Sequence, residues 1–204
     1  MTSLLLASAS PARAATLRAA GIDPIIVVSD VDEPAALAQA RKNGPLSVAE
    51  SVQVLAEAKA RAVAAEHPGR ADLTLGCDSL LELDGEGLGK PESTHVARER
   101  WRRMRGRTGT LHTGHFTITS DGRGAGACAS TEVTFADVSD EEIDAYVATG
   151  EPLKVAGAFT IDGLGGPFIT RIRGDHHAVV GLSLPVLRTM LAGLGVSWPS
   201  LWNQ

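Results

Sequence analysis

The segment Ser8-Ala9-Ser10-Pro11-Ala12-Arg13 brings two hydroxyl groups and a guanidinium together at the point where a short apolar run ends. Ser10 followed by Pro11 is the usual pattern of a helix N-cap and a first helical residue. The free N–H groups and the dipole of such a terminus attract anions, and an arginine can hold a phosphate through two hydrogen bonds. The segment therefore predicts a phosphate site. The alternative is an ordinary capped helix with a solvated arginine.

A lysine interrupts the apolar face of a long helix predicted over residues 47–66. Lys59 lies four residues after Leu55 and three before Ala62, which places it on that face. A lysine directed inward needs a partner or must line a cavity. Lys59 is therefore predicted to line a cleft and contact phosphate. The alternative is a stem that lies along the core while its ammonium reaches solvent.

An aspartate follows the apolar strand predicted over residues 73–76. In open α/β sheets, ligands collect at the carboxyl ends of strands, and Asp78 is predicted to lie at such an end. A carboxylate there can bind a metal ion or accept a proton, and the pattern leaves both roles open. A turn-forming aspartate is the structural alternative.

Three further groups of polar residues are candidate binding sites. Asp30, Asp32 and Glu33 offer the oxygen ligands that Mg²⁺ prefers, although a solvated acidic loop has the same composition. Lys90 follows a glycine but lacks the longer loop and the Ser or Thr of a Walker motif, so alone it predicts a solvated turn lysine. His176-His177 predicts no metal site, because adjacent side chains are expected to point in different directions.

Alternating strands and helices must position these residues. Strands are predicted over residues 4–7, 25–29, 73–76, 80–83, 110–119, 129–135 and 167–172. Helices are predicted to begin at Ser10, Ser47, Ser93, Ser139 and Leu184, and residues 121–129 to form a loose hairpin tip. Because some strand pairs are hairpins, the sequence predicts an α/β fold with a mixed twisted sheet and flanking helices.

Composition limits the class of protein. The chain has 204 residues, 44% hydrophobic and 21% charged, which predicts one globular domain over residues 1–204. A net charge of −5 provides no broad positive field for nucleic acid or an anionic membrane. The apolar runs are too short for a membrane span, and the first is too short for a signal peptide. Two cysteines without a CxxC pair indicate reduced thiols, so we expect a cytoplasmic protein.

Taken together and in this order, the motifs resemble the Maf family of nucleotide pyrophosphatases. The matching segments are LLLASASPARAATLRAAG, VSDVDE, LAEAKA, LGCDSLLELDGEGLGKP, RMRGRTGTLHTG, TEVTFADVSDEEIDAYVATGEPLKVAGAF and GDHHAVVGLSLPVL. The resemblance implies two lobes around a central cleft, similar in shape to the inosine triphosphate pyrophosphatases. It also implies hydrolysis of a nucleoside triphosphate, standard or non-standard, to monophosphate and pyrophosphate with a divalent cation, Mg²⁺ or Mn²⁺.

The resemblance assigns roles to single residues. Asp78 matches the acidic residue that accepts a proton in the family, and with Glu33 it is expected to bind the metal. The substrate-binding positions of the family match Ser8, Arg13, Lys59 and Lys90. The resemblance thus favours the functional interpretation of Arg13, Lys59, Asp78 and Lys90 over the structural one.

Three positions depart from the branch of the family that prefers dTTP and UTP. That branch has arginine where this chain has Ala12, threonine where it has Ser79, and glutamine where it has Asp162. A second branch, which acts on a methylated guanosine triphosphate, has an aromatic residue at the position of Ala12. These three residues are therefore candidate determinants of base specificity, and we expect a shifted or broader substrate range.

Two alternatives to a monomeric enzyme stay open at this point. A non-catalytic regulatory or nucleic-acid-binding role is the competing function, because the family takes its name from an effect on septum formation. The acidic balance argues against nucleic acid, and separated polar residues that match a catalytic set argue against a purely structural role. The sequence is also compatible with a homodimer.

Overall fold

A seven-stranded mixed sheet with helices on its faces forms the framework of the molecule, and the computed structural model describes residues 2–202. The strands are β1 Leu4–Ala7, β2 Ile25–Val27, β3 Leu73–Leu83, β4 Glu86–Leu88, β5 Thr108–Thr119, β6 Gly124–Phe135 and β7 Ile169–Arg173. The helices are α1 Pro11–Ala19, α2 Glu33–Ala40, α3 Val48–Glu66, α4 Thr94–Met104, α5 Asp140–Ala148, α6 His176–Val180 and α7 Leu184–Gly193.

The sheet is parallel on one side and antiparallel on the other. Its strand order is β2-β1-β3-β5-β6-β7, with β4 paired to the far end of β3. β1 runs parallel to both β2 and β3, whereas β3, β5, β6 and β7 pair in antiparallel fashion. The predicted α/β fold with a mixed sheet is confirmed.

Strand β3 does not end where the sequence predicted. Its parallel pairing with β1 stops at Gly76, opposite Ala7, but its antiparallel pairing with β5 continues to Glu82. The prediction that Asp78 lies at a strand end is therefore wrong for β3 as a whole. Asp78 lies instead two residues beyond the end of the parallel part, because the long partner β5 keeps the strand extended.

Two separate apolar cores flank this part of β3. One core packs Leu75 and Cys77 against α1 and α7. The other packs Leu81 and Leu83 against α4, α5 and β6 around the fully buried Trp101. The two cores form two lobes that share β3, and Asp78 lies in the strand between them.

Glycines set how closely α3 approaches the sheet. A Cβ atom added to Gly76 would lie 2.1 Å from the carbonyl oxygen of Ala56, and one added to Gly114 would lie 2.4 Å from that of Val52. Side chains at these two positions would push the helix away from the sheet. The close approach is what brings Lys59, on the sheet-facing side of α3, within reach of β3.

Helix ends follow the predicted capping chemistry. Ser10 accepts a hydrogen bond from the amide of Arg13, and Pro11 is the first residue of α1. Ser47 and Glu50 form a capping box at the start of α3, as do Ser139 and Glu142 at the start of α5. None of the helices within residues 2–202 has the length and apolar character that crossing a membrane requires.

Two segments differ from the sequence predictions. Residues 121–129 are not a loose hairpin tip, because β6 begins at Gly124 and pairs with β5 from there. The small residues are required for packing, since a Cβ on Gly126 would lie 2.4 Å from Nε2 of Gln53. The acidic segment before residue 34 is the start of a helix, because the carboxylate of Asp32 caps α2 by accepting a hydrogen bond from the amide of Ala35.

Candidate active site

A buried lysine joins two carboxylates between the lobes. Nζ of Lys59 lies 2.6 Å from Oδ1 of Asp78 and 2.7 Å from Oε1 of Glu33. The side chains of Lys59 and Asp78 are only 12% and 13% exposed, whereas that of Glu33 is 47% exposed. α3, β3 and the first residue of α2 each supply one member, so three elements converge on one ammonium. The partner that the inward-directed Lys59 requires is therefore a pair of carboxylates.

Arg13 forms a second cationic centre next to this cluster. Its Nε donates to the carbonyl of Gly181 at 2.8 Å, and Nη1 donates to Oγ of Ser8 and to the carbonyl of Cys77 at 3.0 and 2.9 Å. Its Nη2 donates to Oγ of Ser79 at 3.1 Å. Four of its donor hydrogens are thus used within the protein. One N–H remains for a substrate, so the two-pronged phosphate contact considered from the sequence does not fit this arrangement.

Ser8 is positioned to complement Arg13. Its side chain is buried, and its Oγ accepts hydrogen bonds from Nη1 of Arg13 and from the amide of Ser10. Because both contacts use the oxygen as an acceptor, the hydroxyl hydrogen is available to donate to an anion.

Ser79 links the sheet to Arg13. Its hydroxyl lies 3.0 Å from the hydroxyl of Thr113 on β5, and Thr113 donates to the carbonyl of Ala178 in α6. Ser79 also accepts from Arg13. The hydroxyl of Ser79 is therefore part of a network that fixes Arg13 and α6.

Burial raises the pKa of Asp78 above that of an ordinary aspartate. The positive charges of Lys59 and Arg13 and the hydrogen bond from Lys59 act in the opposite direction, and the charge of Glu33 adds to the increase. Asp78 is thus a stronger base than a solvated carboxylate. This property suits a residue that accepts a proton.

The predicted acidic cluster does not form as a set of three. Asp32 is committed to capping α2, and Asp30 is exposed and does not join Asp32 and Glu33 in a group close enough to share an ion. Glu33 alone reaches the site, where its carboxylate and that of Asp78 converge on the same ammonium. Two hard oxygen donors this close together fit a divalent ion such as Mg²⁺ or Mn²⁺.

The remaining candidate residues are Lys90, Asp162 and Ala12. Lys90 is exposed after β4, Asp162 is exposed in the loop before β7, and Ala12 is half-buried in the first turn of α1. Within residues 2–202, no hydrogen bond or ion pair connects these side chains to Asp78 or Lys59. The structure thus brings together six of the predicted residues: Ser8, Arg13, Glu33, Lys59, Asp78 and Ser79.

The structure adds residues that the sequence did not suggest. Thr113 and the carbonyl of Gly181 position the Ser79–Arg13 network from distant parts of the chain. His115 on β5 is fully buried, and its Nε2 accepts a hydrogen bond from the amide of Ser183 at 2.8 Å. Burial lowers the pKa of His115 to about 4, so the ring is neutral. The antiparallel register of β3 and β5 places Thr113 opposite Ser79.

The prediction that the side chains of His176 and His177 point in different directions is wrong. The ring centroids of His176 and His177 lie 3.8 Å apart, so the two side chains share one side of α6. Their ring nitrogens and a carboxylate oxygen of Asp175 all lie within 4.8 Å of one another. The start of a short helix, unlike a regular helix interior, allows consecutive side chains to lie side by side.

Comparisons with known proteins place the chain in a family. It is 55% identical to a nucleoside triphosphate pyrophosphatase of Leifsonia xyli, over 98% of this chain and 97% of that protein. It is 53% identical to a protein of the same name from Streptomyces coelicolor, over 98% and 94% of the two chains. The solved Ham1 protein of Staphylococcus aureus aligns over 98% of this chain and 93% of its own, with 14% identity and a TM-score of 0.47. The profile of the Maf-like protein family matches residues 3–194, and the chain therefore belongs to that family.

Proposed function

We propose that this protein hydrolyses nucleoside triphosphates to nucleoside monophosphates and pyrophosphate. The observation that carries the proposal is the largely buried pair of Lys59 and Asp78, joined by Glu33 and next to Arg13, which combines a base of raised pKa with two cations. The relatives that align with this chain over nearly their whole length are named nucleoside triphosphate pyrophosphatases, which supports the same activity.

In the proposed reaction, water attacks the α-phosphorus directly. A bond forms between the water oxygen and the α-phosphorus, and the bond from that phosphorus to the oxygen bridging to the β-phosphate breaks. Pyrophosphate leaves with the bonding electrons, and Asp78 takes the proton of the water. Within residues 2–202, the site shows no serine or cysteine paired with a histidine, which supports a single displacement without a covalent intermediate.

The cations of the site balance the charge that grows on the leaving pyrophosphate. Lys59 lies next to the base, and Arg13 adds a fixed positive charge with one N–H directed outward from its network. Fixed charges in a water-poor site stabilise a transition state more than mobile ones, because they need no reorganisation. Ser8 donates its hydroxyl hydrogen to a phosphate oxygen, and the exposed Lys90 closes on the triphosphate from the other lobe.

Asp78 and Glu33 are the residues that would hold a divalent cation, Mg²⁺ or Mn²⁺. When bound, such an ion polarises the phosphate and lowers the pKa of water. Lys59 keeps the two carboxylates together by contacting both of them.

Base selectivity is proposed to differ from that of the dTTP- and UTP-preferring branch. Ala12 lacks the long donor of that branch, and an ionised Asp162 accepts hydrogen bonds where glutamine both donates and accepts. An acceptor favours a base edge rich in N–H donors, as in guanine or cytosine. Ser79 is the mildest change, because its hydroxyl makes the network contacts that a threonine would also make.

A nucleotide panel tests the proposal. Pyrophosphate and monophosphate release are measured with dTTP, UTP, CTP, GTP and modified nucleotides, with and without Mn²⁺. We expect equal amounts of the two products with at least one nucleotide, and loss of the activity in Asp78→Asn. Asp23→Asn, which alters an exposed ion pair with Arg18, is the matched control and retains full activity.

Two results decide the proposal. Release of inorganic phosphate and a nucleoside diphosphate would show cleavage between the β- and γ-phosphates and would contradict the proposed reaction. A preference for dTTP and UTP of about 100-fold over all others, about 2.7 kcal/mol, would leave the activity intact but refute the roles of Ala12 and Asp162 in base selection.

A further inference from the structure

A second group of metal-binding side chains lies at the start of α6. Oδ1 of Asp175 accepts hydrogen bonds from the amide of His177 at 3.0 Å and from its ring Nδ1 at 3.3 Å. The ring of His176 lies against that of His177. One carboxylate and two imidazoles therefore gather at the start of this helix, and neither the proposed reaction nor the Asp78 cluster uses them.

We infer that Asp175, His176 and His177 form a second metal site, which takes Zn²⁺, Co²⁺ or Ni²⁺ in preference to Mg²⁺. Imidazole ligands favour these borderline ions, whereas Mg²⁺ requires oxygen ligands and gives up its water reluctantly. The donor set differs in kind from the two carboxylates of the proposed catalytic site. The two sites therefore select different ions.

The distances suit a zinc ion. With zinc–nitrogen bonds of about 2.0 Å, two atoms bound to the same tetrahedral ion lie about 3.3 Å apart. Oδ1 of Asp175 and Nδ1 of His177 are already 3.3 Å apart, and the ligand atoms of all three residues lie within 4.8 Å. Three protein ligands leave one position for water or another ligand.

The carboxylate is ionised at neutral pH, as a ligand must be. Burial acts to raise the pKa of Asp175, but hydrogen bonds, among them those from the amide and ring of His177, outweigh it and lower the pKa.

The position of the site connects it to the proposed catalytic residues. The carbonyl of Ala178, in the same helix, accepts from Thr113, and that of Gly181, at its end, accepts from Arg13. An ion bound at the first turn of α6 therefore stabilises the segment whose carbonyl groups bind Arg13 and Thr113. Binding is expected to raise the melting temperature of the protein.

Zinc titration of the metal-free protein by calorimetry tests the inference. We expect one zinc ion per chain to bind in wild type, in Asp78→Asn, and in wild type with excess Mg²⁺. His176→Ala/His177→Ala is expected to weaken this binding by about 10-fold or more. His67→Ala/His95→Ala removes two histidines elsewhere and is the matched control, with unchanged affinity.

A spectroscopic measurement guards against loss of binding through misfolding. Co²⁺ bound by two imidazoles absorbs visible light, and the single variant His176→Ala, which changes an exposed ring, should alter this spectrum while its circular dichroism stays that of wild type. Unchanged zinc affinity in the double histidine variant would overturn the inference. So would zinc binding that disappears in Asp78→Asn, because the ion would then occupy the proposed catalytic site.

Discussion

Two regions of this molecule are rich in opposite charges, and they differ in burial. Lys59 and Asp78 are about nine-tenths buried between the lobes, whereas the arginines along α4 pair with acids on the surface. Arg103 and Glu86, for example, are 42% and 57% exposed. An exposed pair contributes little to stability, and a buried pair has a desolvation cost that often cancels its attraction.

The comparison shows that the amount of charge does not mark a site. Residues 98–107 contain six arginines, which outnumber the cations of the proposed site. Five of them pair with acids on the surface, namely Arg98, Arg102, Arg103, Arg105 and Arg107. Arg100 donates to the carbonyl of Gly89. The single Lys59 is costly to bury, and its retention between two carboxylates indicates a chemical role. Burial of charge, more than its quantity, therefore distinguishes the two regions.

The largest expected effect follows removal of the base. Asp78→Asn is expected to lower kcat by roughly 10²- to 10⁴-fold, because the amide neither accepts the proton of water nor binds a cation well. Steady-state pyrophosphate release measures this. Asp84→Asn breaks the exposed pair with Arg107 and should leave kcat unchanged. Near-normal turnover of Asp78→Asn would show that the buried carboxylate is no more important for catalysis than an exposed one.

The next effect concerns the neutral His115, which is fully buried on β5. Its folded-state pKa is about 4 against an ordinary 6.5, so the unfolded chain binds the proton more readily. This stability is present above about pH 6.5 and is lost as the pH falls towards 4, by roughly 3 kcal/mol in all. Urea unfolding at a series of pH values measures it. His115→Gln should flatten the profile relative to wild type, and a parallel profile would contradict the lowered pKa.

Lys59 is expected to have a smaller effect on turnover than Asp78. Lys59→Ala removes a cation that faces the leaving group, and we expect kcat/KM to fall by roughly 10- to 100-fold with the fold retained. Lys42→Ala, at an exposed lysine that contacts Gln39, is the matched control. If Lys59→Ala changes only the melting temperature, the lysine has a structural role.

The smallest effect is expected on the surface of α4. Arg103→Ala should change the free energy of unfolding by less than about 1 kcal/mol and leave kcat/KM unchanged, because its pair with Glu86 is solvated. Thermal unfolding and the pyrophosphate assay measure the two quantities. A loss of several kcal/mol would show that exposed pairs here behave like buried ones.

Local chemistry made part of the fold predictable. Ser10-Pro11 and Ser47 correctly marked the starts of α1 and α3. Asp84 and Gly85 form the turn between β3 and β4, where both residues have positive φ. The start of β6 was not predictable, because glycine and alanine are typical of loops and the need for glycine here follows from the close approach of Gln53 and Phe116. Helix α2 was missed because Asp32 caps it while looking like part of an acidic loop.

The candidate site was predictable only in part. The inward direction of Lys59 followed from helical periodicity, but its two acidic partners follow from the packing of three elements. Thr113, His115 and Gly181 gave no local signal, since their roles depend on strand register and on the position of α6. The closeness of His176 and His177 was missed because a regular helix was assumed.

The central claim is that the buried Lys59–Asp78 pair serves catalysis and does not hold the fold together. The double variant Lys59→Met/Asp78→Leu replaces the pair with apolar side chains of similar size, and its melting temperature and pyrophosphate release test the claim together. Because burying charge is costly, we expect an unchanged or higher melting temperature and no detectable pyrophosphate release. A variant that melts several degrees lower and still releases pyrophosphate at a wild-type rate would contradict the account.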